Sequence, residues 1–170
     1  MHLSALNHLV AAVAALAQAE AVVVVGSAAL LVRHPELGEP GGRLELTRDA
    51  DLVVLPCDAE LAAMIHEALG EGSLFDQRHG YHADVVRPEL LSTLPQGWRA
   101  RALPLGSQAL SLAPVDVAAV KLCVGRAKDL AVVAELLEHG MVERAAVVLS
   151  LCEIRQSERD ARAALRRLGA

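Results

Sequence analysis

Three aspartates lie in or beside short apolar segments of the chain. Asp49 and Asp51 precede the apolar run Leu52–Leu55, and Asp84 interrupts the segment Tyr81–Val86. Residues at i and i+2 of a strand point to the same face, so Asp49 and Asp51 place two like charges side by side. Such a pair repels unless a cation lies between its members, and Mg²⁺ binds one or two carboxylates while leaving room for phosphates. A solvated acidic pair at a strand edge is the alternative.

Asp84 extends this hypothesis to a third carboxylate. If its strand pairs with the strand that carries Asp49 and Asp51, the three side chains meet at one place. Three carboxylates can hold two divalent ions, which is the arrangement of a two-metal phosphoryl-transfer site. His82 points to the same side of its strand as Asp84, so we expect it to border the same cleft.

A glycine and a serine follow another apolar run. Ala21–Val25 contains four valines, which is typical of a strand buried on both faces, and Gly26 and Ser27 come directly after it. A glycine at this point lets backbone N–H groups turn outward, and the helix predicted for Ala28–Val32 presents its positive end, so the junction can bind phosphate. Ser27 acting as a plain helix N-cap is the alternative.

Lysine is rare in this chain. Only two of its 16 basic residues are lysines, Lys121 and Lys128. Their separation of seven residues puts both on one face of a continuous helix, whereas a break at Gly125 changes that geometry. An ammonium group is a compact point charge suited to phosphate or to a carboxylate cluster.

The elements that position these residues follow from the apolar periodicity. The first two-thirds of the chain mixes strands and helices, and everything from Pro114 onward is helical. Residues 34–43 are a Pro/Gly-rich loop. We therefore predict an α+β (mixed α/β) fold, with a sheet flanked by helices over residues 1–112 and a C-terminal helical bundle over 113–170, forming one compact domain. The predicted helices are 2–19, 58–69, 114–124, 126–138, 141–153 and 156–168, and the predicted strands are 21–25, 51–55, 81–86 and one or two within 98–112.

Composition excludes several classes of function. The net charge is −5, so a basic nucleic-acid footprint is absent from the chain as a whole. Aromatic residues make up 2%, which argues against base-stacking platforms. The apolar stretch Leu9–Val32 is interrupted by Gln18 and Glu20 and lacks a preceding basic residue, so we predict a buried helix and strand in a cytoplasmic protein.

Two further segments have a structural and a functional interpretation. Trp98 is predicted to pack in the core at a turn that leads into a strand, with Arg99 and Arg101 on one strand face. The terminal segment ERDARAALRRLGA predicts an amphipathic helix with Arg162, Arg166 and Arg167 on its polar side. Packing in the bundle is the expected role of that helix, and an interface with a partner protein or a basic rim for RNA is the alternative.

Taken together, these motifs resemble the minimal nucleotidyltransferase superfamily. The shared pattern is Gly-Ser after a buried strand, Asp-x-Asp at the start of the next, and a third Asp on a later strand. Two segments resemble bacterial AbiEii-type and toxin–antitoxin-associated nucleotidyltransferase-like proteins. They are the segment TRDADLVV and the helical segment DVAAVKLCVGRAKDLAVVAELLEHGMV. The resemblance covers roughly residues 20–142. Two departures stand out: the gap between Gly26 and Asp49 is longer than usual, and a later Asp of the helical motif is replaced.

The resemblance implies roles for particular residues. It places the nucleotide phosphates on Gly26 and Ser27 and puts further site residues on the helical motif. It makes three aspartates the ligands of Mg²⁺ or Mn²⁺, with the third also helping to activate the acceptor. The metal ligands it implies are Asp49, Asp51 and Asp84, and the site residues of the helical motif are Lys121, Arg126, Lys128 and Asp129.

The implied activity is transfer of a nucleoside monophosphate from an NTP to a hydroxyl of RNA, protein or a small molecule. The protein is then a candidate toxin of a toxin–antitoxin system, with a cognate antitoxin or other partner protein and with no membrane or long-DNA binding. The alternative is a catalytically degenerate member that acts as a partner-binding or antitoxin-like regulatory module.

Overall fold

The computed structural model describes residues 1–169, which form a five-stranded sheet flanked by helices. The fold is therefore α+β, as predicted. Its strands are β1 (Ala21–Val24), β2 (Asp49–Leu55), β3 (His82–Val85), β4 (Leu103–Leu105) and β5 (Ala109–Ser111). Its α-helices are α1 (Leu3–Ala17), α2 (Ala59–Leu69), α3 (Leu74–His79), α4 (Trp98–Arg101), α5 (Pro114–Val124), α6 (Ala127–Glu138), α7 (Arg144–Cys152) and α8 (Glu158–Leu168).

The sheet is mixed, with strand order β3-β2-β1-β5-β4. β1 runs antiparallel to β2 and parallel to β5, while β2 runs parallel to β3. The two central strands are the apolar runs of the sequence, and Val22, Leu52 and Val53 are completely buried. A strand covered on both faces has no solvated side. These segments are therefore continuous runs of apolar residues, without the alternation of apolar and polar residues found in half-exposed strands.

Helices cover both faces of this sheet. α1 and α2 pack on each other and on the strands, and α5 packs on the segment that follows β1. α5 is also the centre of the C-terminal helices, because α6, α7 and α8 all pack against it. None of the helices within residues 1–169 is long and apolar enough to cross a membrane.

Helix boundaries agree closely with the predicted caps. The carboxylate of Asp58 accepts a hydrogen bond from the backbone N–H of Leu61 at 2.8 Å, which satisfies one of the free donors at the start of α2. Gly125 ends α5 in the left-handed conformation, with φ of 70°. This is the break that separates the two lysines onto different helices, so the condition for a common helical face, a continuous helix, is not met.

Four local predictions also need correction. The segment Ser27–Val32 is a 3₁₀ helix rather than the start of an α-helix. The loop after it contains a second 3₁₀ turn, Pro35–Gly38. Helix α3 was not predicted, and Trp98 begins the short helix α4 rather than a turn into a strand, although it is buried as expected.

The predicted strand face shared by Arg99 and Arg101 is consequently absent. Arg101 lies on α4 and donates to Asp116 of α5 at 2.8 Å and to Glu153, just after α7, at 2.7 Å. Asp116 is completely buried and also accepts from the hydroxyl of Ser150 at 2.7 Å. This network joins the sheet-bearing part of the chain to the C-terminal helices.

Candidate functional site

The three predicted acidic residues lie on two neighbouring strands. The parallel register of β2 and β3 sets Asp51 directly opposite Asp84 and sets Asp49 opposite His82. Because side chains alternate between faces, Asp49, Asp51 and Asp84 all project from the same face of the sheet. The predicted pairing of these two strands is therefore confirmed, and it brings the carboxylates together.

Gly26 lies against the side chain of Asp51, the central member of the three aspartates. The backbone N–H of Val25 donates to the carbonyl of Asp51 at 2.9 Å, which brings the end of β1 beside the acidic pair. A Cβ at position 26 would lie 1.9 Å from Oδ2 of Asp51, and the residue has φ of 65° and ψ of −158°. This backbone conformation is essentially restricted to glycine, so the position requires Gly on two independent grounds.

Ser27 has a smaller role than predicted. It is the first residue of a 3₁₀ helix of six residues whose N-cap is Gly26, so Ser27 is not the N-cap of a helix. The expectation that an α-helix N-terminus faces the phosphates at this junction is wrong. Gly26 and Ser27 still line the cleft described below, through their position rather than through a helix end.

The electrostatic environment of Asp51 is strongly acidic. Burial of its side chain raises its pKa from 3.8 to about 6, and the charges of Asp49 and Asp84 add to this rise, while Lys121 and Arg126 oppose it. A carboxyl group in this position releases its proton more easily when a cation binds beside it. The site therefore favours a bound cation.

A cationic group stands across from the carboxylates, organised by Asp129. The ammonium of Lys121 donates to Asp129 Oδ1 at 2.8 Å, and the Nε of Arg126 donates to Oδ2 at 2.6 Å. Lys121 and Asp129 are buried, with side chains 9% and 2% exposed. Although burial opposes it, these hydrogen bonds hold the pKa of Asp129 below its usual value.

Both groups line one cleft of about 510 Å³. Its lining includes every residue predicted for the site: Gly26, Ser27, Asp49, Asp51, Asp84, Lys121, Arg126, Lys128 and Asp129. Lys128 is exposed, and no carboxylate within residues 1–169 forms a salt bridge with it. It is therefore the cation in this cleft whose charge is free for a ligand.

The long loop between β1 and β2 forms one wall of the cleft and leaves the cavity open. Its buried Leu37 accepts a backbone hydrogen bond from Leu44, which folds residues 35–44 back on themselves. Arg43, Leu44 and Thr47 line the cleft. Arg43 and Leu44 were not predicted as site residues, since a Pro/Gly-rich loop carries no periodicity that says which side chains turn inward.

The donor set suits a hard divalent cation but does not form a complete cage. Carboxylate oxygens are the ligands that Mg²⁺ and Mn²⁺ prefer. Among residues 1–169, however, no three His, Cys, Asp or Glu side chains are arranged to hold one ion. The residues fit a cation that takes part of its coordination from one or two carboxylates and the rest from water and phosphate.

His82 belongs to a separate network beside the cleft. Its Nδ1 lies 3.3 Å from Asp76, which also accepts from Arg48 at 2.7 Å. The backbone N–H of Gly72, then Arg48 and His82, hold the pKa of Asp76 below its usual value. His82 lies opposite Asp49 in the sheet register but is not part of the cleft lining.

Comparison with known proteins identifies no relative of this chain. No protein-family model matches this chain, and it matches neither a curated protein nor a solved structure.

Proposed function

We propose that this protein is a divalent-metal-dependent nucleotidyltransferase that transfers a nucleoside monophosphate from an NTP to an acceptor hydroxyl. The observation that carries the proposal is the cleft itself. Three carboxylates on adjacent strands face Lys121, Arg126 and Lys128 across a space of about 510 Å³. Anionic and cationic groups on opposite walls suit a metal–triphosphate complex, which needs both.

One or two of the carboxylates of Asp49, Asp51 and Asp84 would hold each Mg²⁺ or Mn²⁺ ion, and water and the phosphates would complete its coordination. When bound, such an ion neutralises charge on the triphosphate and on the leaving pyrophosphate and lowers the pKa of the attacking hydroxyl. Gly26 lets the backbone at the end of β1 approach this place, because it has no side chain to obstruct Asp51.

The opposite wall supplies fixed positive charge. Lys128 is exposed and free to contact phosphate oxygens. Asp129 holds Lys121 and Arg126 in place at 2.8 and 2.6 Å, so these cations are oriented before a substrate arrives. Preorganised charge of this kind stabilises charge that develops during phosphoryl transfer without reorganisation at the moment of reaction. Leu44, Val120 and Val124 add apolar surface to the lining of the cleft.

A partner-binding module without catalytic activity is the second candidate. Two observations favour it: Asp129 already pairs with both Lys121 and Arg126, and no three metal-ligating side chains of residues 1–169 converge on one point. In that case the cleft has no catalytic role, and neither NTP nor metal binds there.

Calorimetry separates the two candidates. Each of the four NTPs is titrated, with and without Mg²⁺, into the wild type and into the double variant Asp49→Ala, Asp51→Ala. The matched control is Glu60→Ala, Glu67→Ala, which removes two exposed carboxylates from α2 outside the cleft. We expect Mg²⁺-dependent binding in the wild type and control and none in the Asp variant.

The transfer step is then tested with α-labelled NTP and candidate acceptors, including RNA, the protein itself and small hydroxyl compounds. A folded wild type that binds no NTP contradicts the nucleotidyltransferase proposal and favours the partner-binding candidate. Unchanged turnover in the Asp49→Ala, Asp51→Ala variant contradicts the assignment of the carboxylates.

A further inference from the structure

A second concave surface lies among the C-terminal helices, away from the carboxylates. It is a groove of about 370 Å³, with α6 on one side, α8 on the other and α5 beneath. Leu122, Leu130, Val133, Leu137 and Leu168 make its lining largely aliphatic. The volume falls within the range of ligand and peptide pockets, and nothing in the proposed reaction uses it.

The α6 side of the groove has the spacing of a helix-binding surface. Leu130, Ala134 and Leu137 stand at i, i+4 and i+7 on α6 and line the groove together. Residues at these positions form one stripe along two helical turns. Ala134 is exposed, so the stripe is open to a partner. Two helices pack closely when one presents such a stripe to the other.

The rim of the groove is cationic. Arg144 donates to the carbonyl of Leu168, and Arg167 donates to the carbonyl of Leu122 at 2.7 Å. Because these guanidinium groups bond to carbonyls, neither forms a salt bridge with a carboxylate of residues 1–169, and their positive charge stays unneutralised. Glu138 is the single acidic residue of the lining.

Helix α8 extends this positive charge. It carries four arginines against two acids, in a chain whose net charge is −5. Arg167 lies in its last turn and lines the groove. The occupant that complements both the apolar floor and this rim has apolar side chains on one face and carboxylates beside them.

We propose that the groove between α6 and α8 docks an amphipathic acidic helix of a partner protein. The helix lays leucine-like side chains on Leu130, Ala134 and Leu137, and its carboxylates meet Arg144 and Arg167. This is the helix-in-groove mode of recognition, in which apolar anchors supply affinity and charges at the rim supply orientation.

The groove and the cleft share two helices. Leu122 faces the groove next to Lys121, and Leu130 faces it next to Asp129. Arg167 lies against Gly125, the turn between α5 and α6 that precedes Arg126. A partner in the groove therefore contacts the elements that hold the cations of the cleft. The docking proposal stands without the nucleotidyltransferase proposal, because its test uses no nucleotide.

Fluorescence anisotropy tests the docking with a defined probe. The probe is a fluorescein-labelled helical peptide with leucines at i, i+4 and i+7 and glutamates flanking them. Its control is the same peptide with every glutamate replaced by lysine. We expect the acidic peptide to bind saturably and more weakly as salt is raised, and the lysine peptide to bind at least about tenfold more weakly.

Protein variants locate the binding. Ala134→Glu fills the groove from an exposed position with a charge that repels an acidic helix, and the matched control Ala63→Glu changes an exposed alanine in the middle of α2. We expect Ala134→Glu to weaken peptide binding about tenfold or more while Ala63→Glu leaves it unchanged. Circular dichroism shows that both variants fold, and the peptide pair tests the charge argument on the unmodified protein.

Three outcomes overturn the proposal. Equal binding of the acidic and lysine peptides contradicts the proposed contact between carboxylates of the partner helix and Arg144 and Arg167. A wild type that dimerises, with Ala134→Glu monomeric by light scattering, makes the groove an interface between copies of this chain. Saturable binding of decanoate without binding of the acidic peptide makes it a site for an acyl carboxylate.

Discussion

Asp51 is the residue on which the candidate site depends most. It lies opposite Asp84 in the sheet register, two residues from Asp49, and against Gly26. The fold thus buries a carboxyl group beside two others and leaves no room for a side chain at position 26. Both features lower the free energy of unfolding, and together they concentrate negative charge at one place. Reduced stability of this kind is common at functional sites.

The substitution Gly26→Ala tests the close approach. We expect it to reduce the free energy of unfolding by about 2–4 kcal/mol, because Ala both strains the backbone and collides with Asp51. Urea unfolding followed by circular dichroism measures the loss. In the background of Asp51→Ala only the backbone strain remains, so the loss should be smaller there. Equal losses in the two backgrounds would mean that the collision contributes nothing.

The substitution Asp51→Asn tests the charge. The folded-state pKa of Asp51 is raised to about 6 from 3.8. The folded protein therefore keeps this proton in a pH range where the unfolded chain has lost it, and stability falls as pH rises from about 4 to about 6. Above that window the cost is up to about 3 kcal/mol, and Asn removes it.

The measurement is urea unfolding of wild type and Asp51→Asn at about pH 4 and about pH 8. We expect Asp51→Asn to be more stable than wild type at the higher pH, with the difference shrinking at the lower pH, while Mg²⁺-dependent NTP binding is lost. Glu67→Gln, on the exposed side of α2, is the control. A difference that does not depend on pH contradicts the charge explanation.

At the scale of elements, the turn between α5 and α6 decides how the cations are held. Gly125 ends α5, and Arg126 precedes α6, so Lys121 and Asp129 meet across the turn rather than along one helix. A buried ion pair gives little net stability but is costly to break, because the remaining charge has no partner. The turn is therefore costly to open while the pair is buried.

Replacing Asp129 by Ala should lower the free energy of unfolding by about 3 kcal/mol, since Lys121 stays buried without a counter-ion. The double variant Lys121→Met, Asp129→Leu should recover much of that loss, because two apolar side chains need no hydration. Chemical denaturation of the three proteins gives the comparison. If the double variant is as unstable as Asp129→Ala, the loss comes from packing at the turn and not from the unpaired charge.

At the scale of the whole molecule, the sheet and the C-terminal helices are joined by both apolar packing and one polar network. A single cluster of buried apolar residues runs from α1 through the strands to α8. Arg101, Asp116 and Glu153 link α4, α5 and the end of α7 within it. We expect the two parts to unfold together.

The variant Arg101→Met tests this coupling. It leaves the completely buried Asp116 without its guanidinium partner, so we expect a loss of about 3–4 kcal/mol. Trp98 is the one tryptophan of the chain and lies on α4 beside this network. Its fluorescence and far-UV circular dichroism should report the same unfolding midpoint in wild type. Separate midpoints would show two independently folding parts.

Much of the fold follows from local sequence alone. The buried runs before Gly26 and after Asp49 predict the two central strands, and the caps at Asp58 and Gly125 predict where helices begin and end. Alternation along a strand also predicts that Asp49 and Asp51 share a face. These properties depend on neighbours within a few residues, so no knowledge of the rest of the chain is needed.

Only the tertiary structure decides which residues meet across long stretches of chain. The sequence does not specify the register that sets Asp51 opposite Asp84, because a parallel pair is joined by a long crossover and slips by two residues keep the same face buried. The approach of Gly26 to Asp51, the inward position of Arg43 and the pairing of Lys121 with Asp129 likewise depend on distant packing. The sequence by itself determines the chemistry available to this protein, and long-range packing places that chemistry in one cleft.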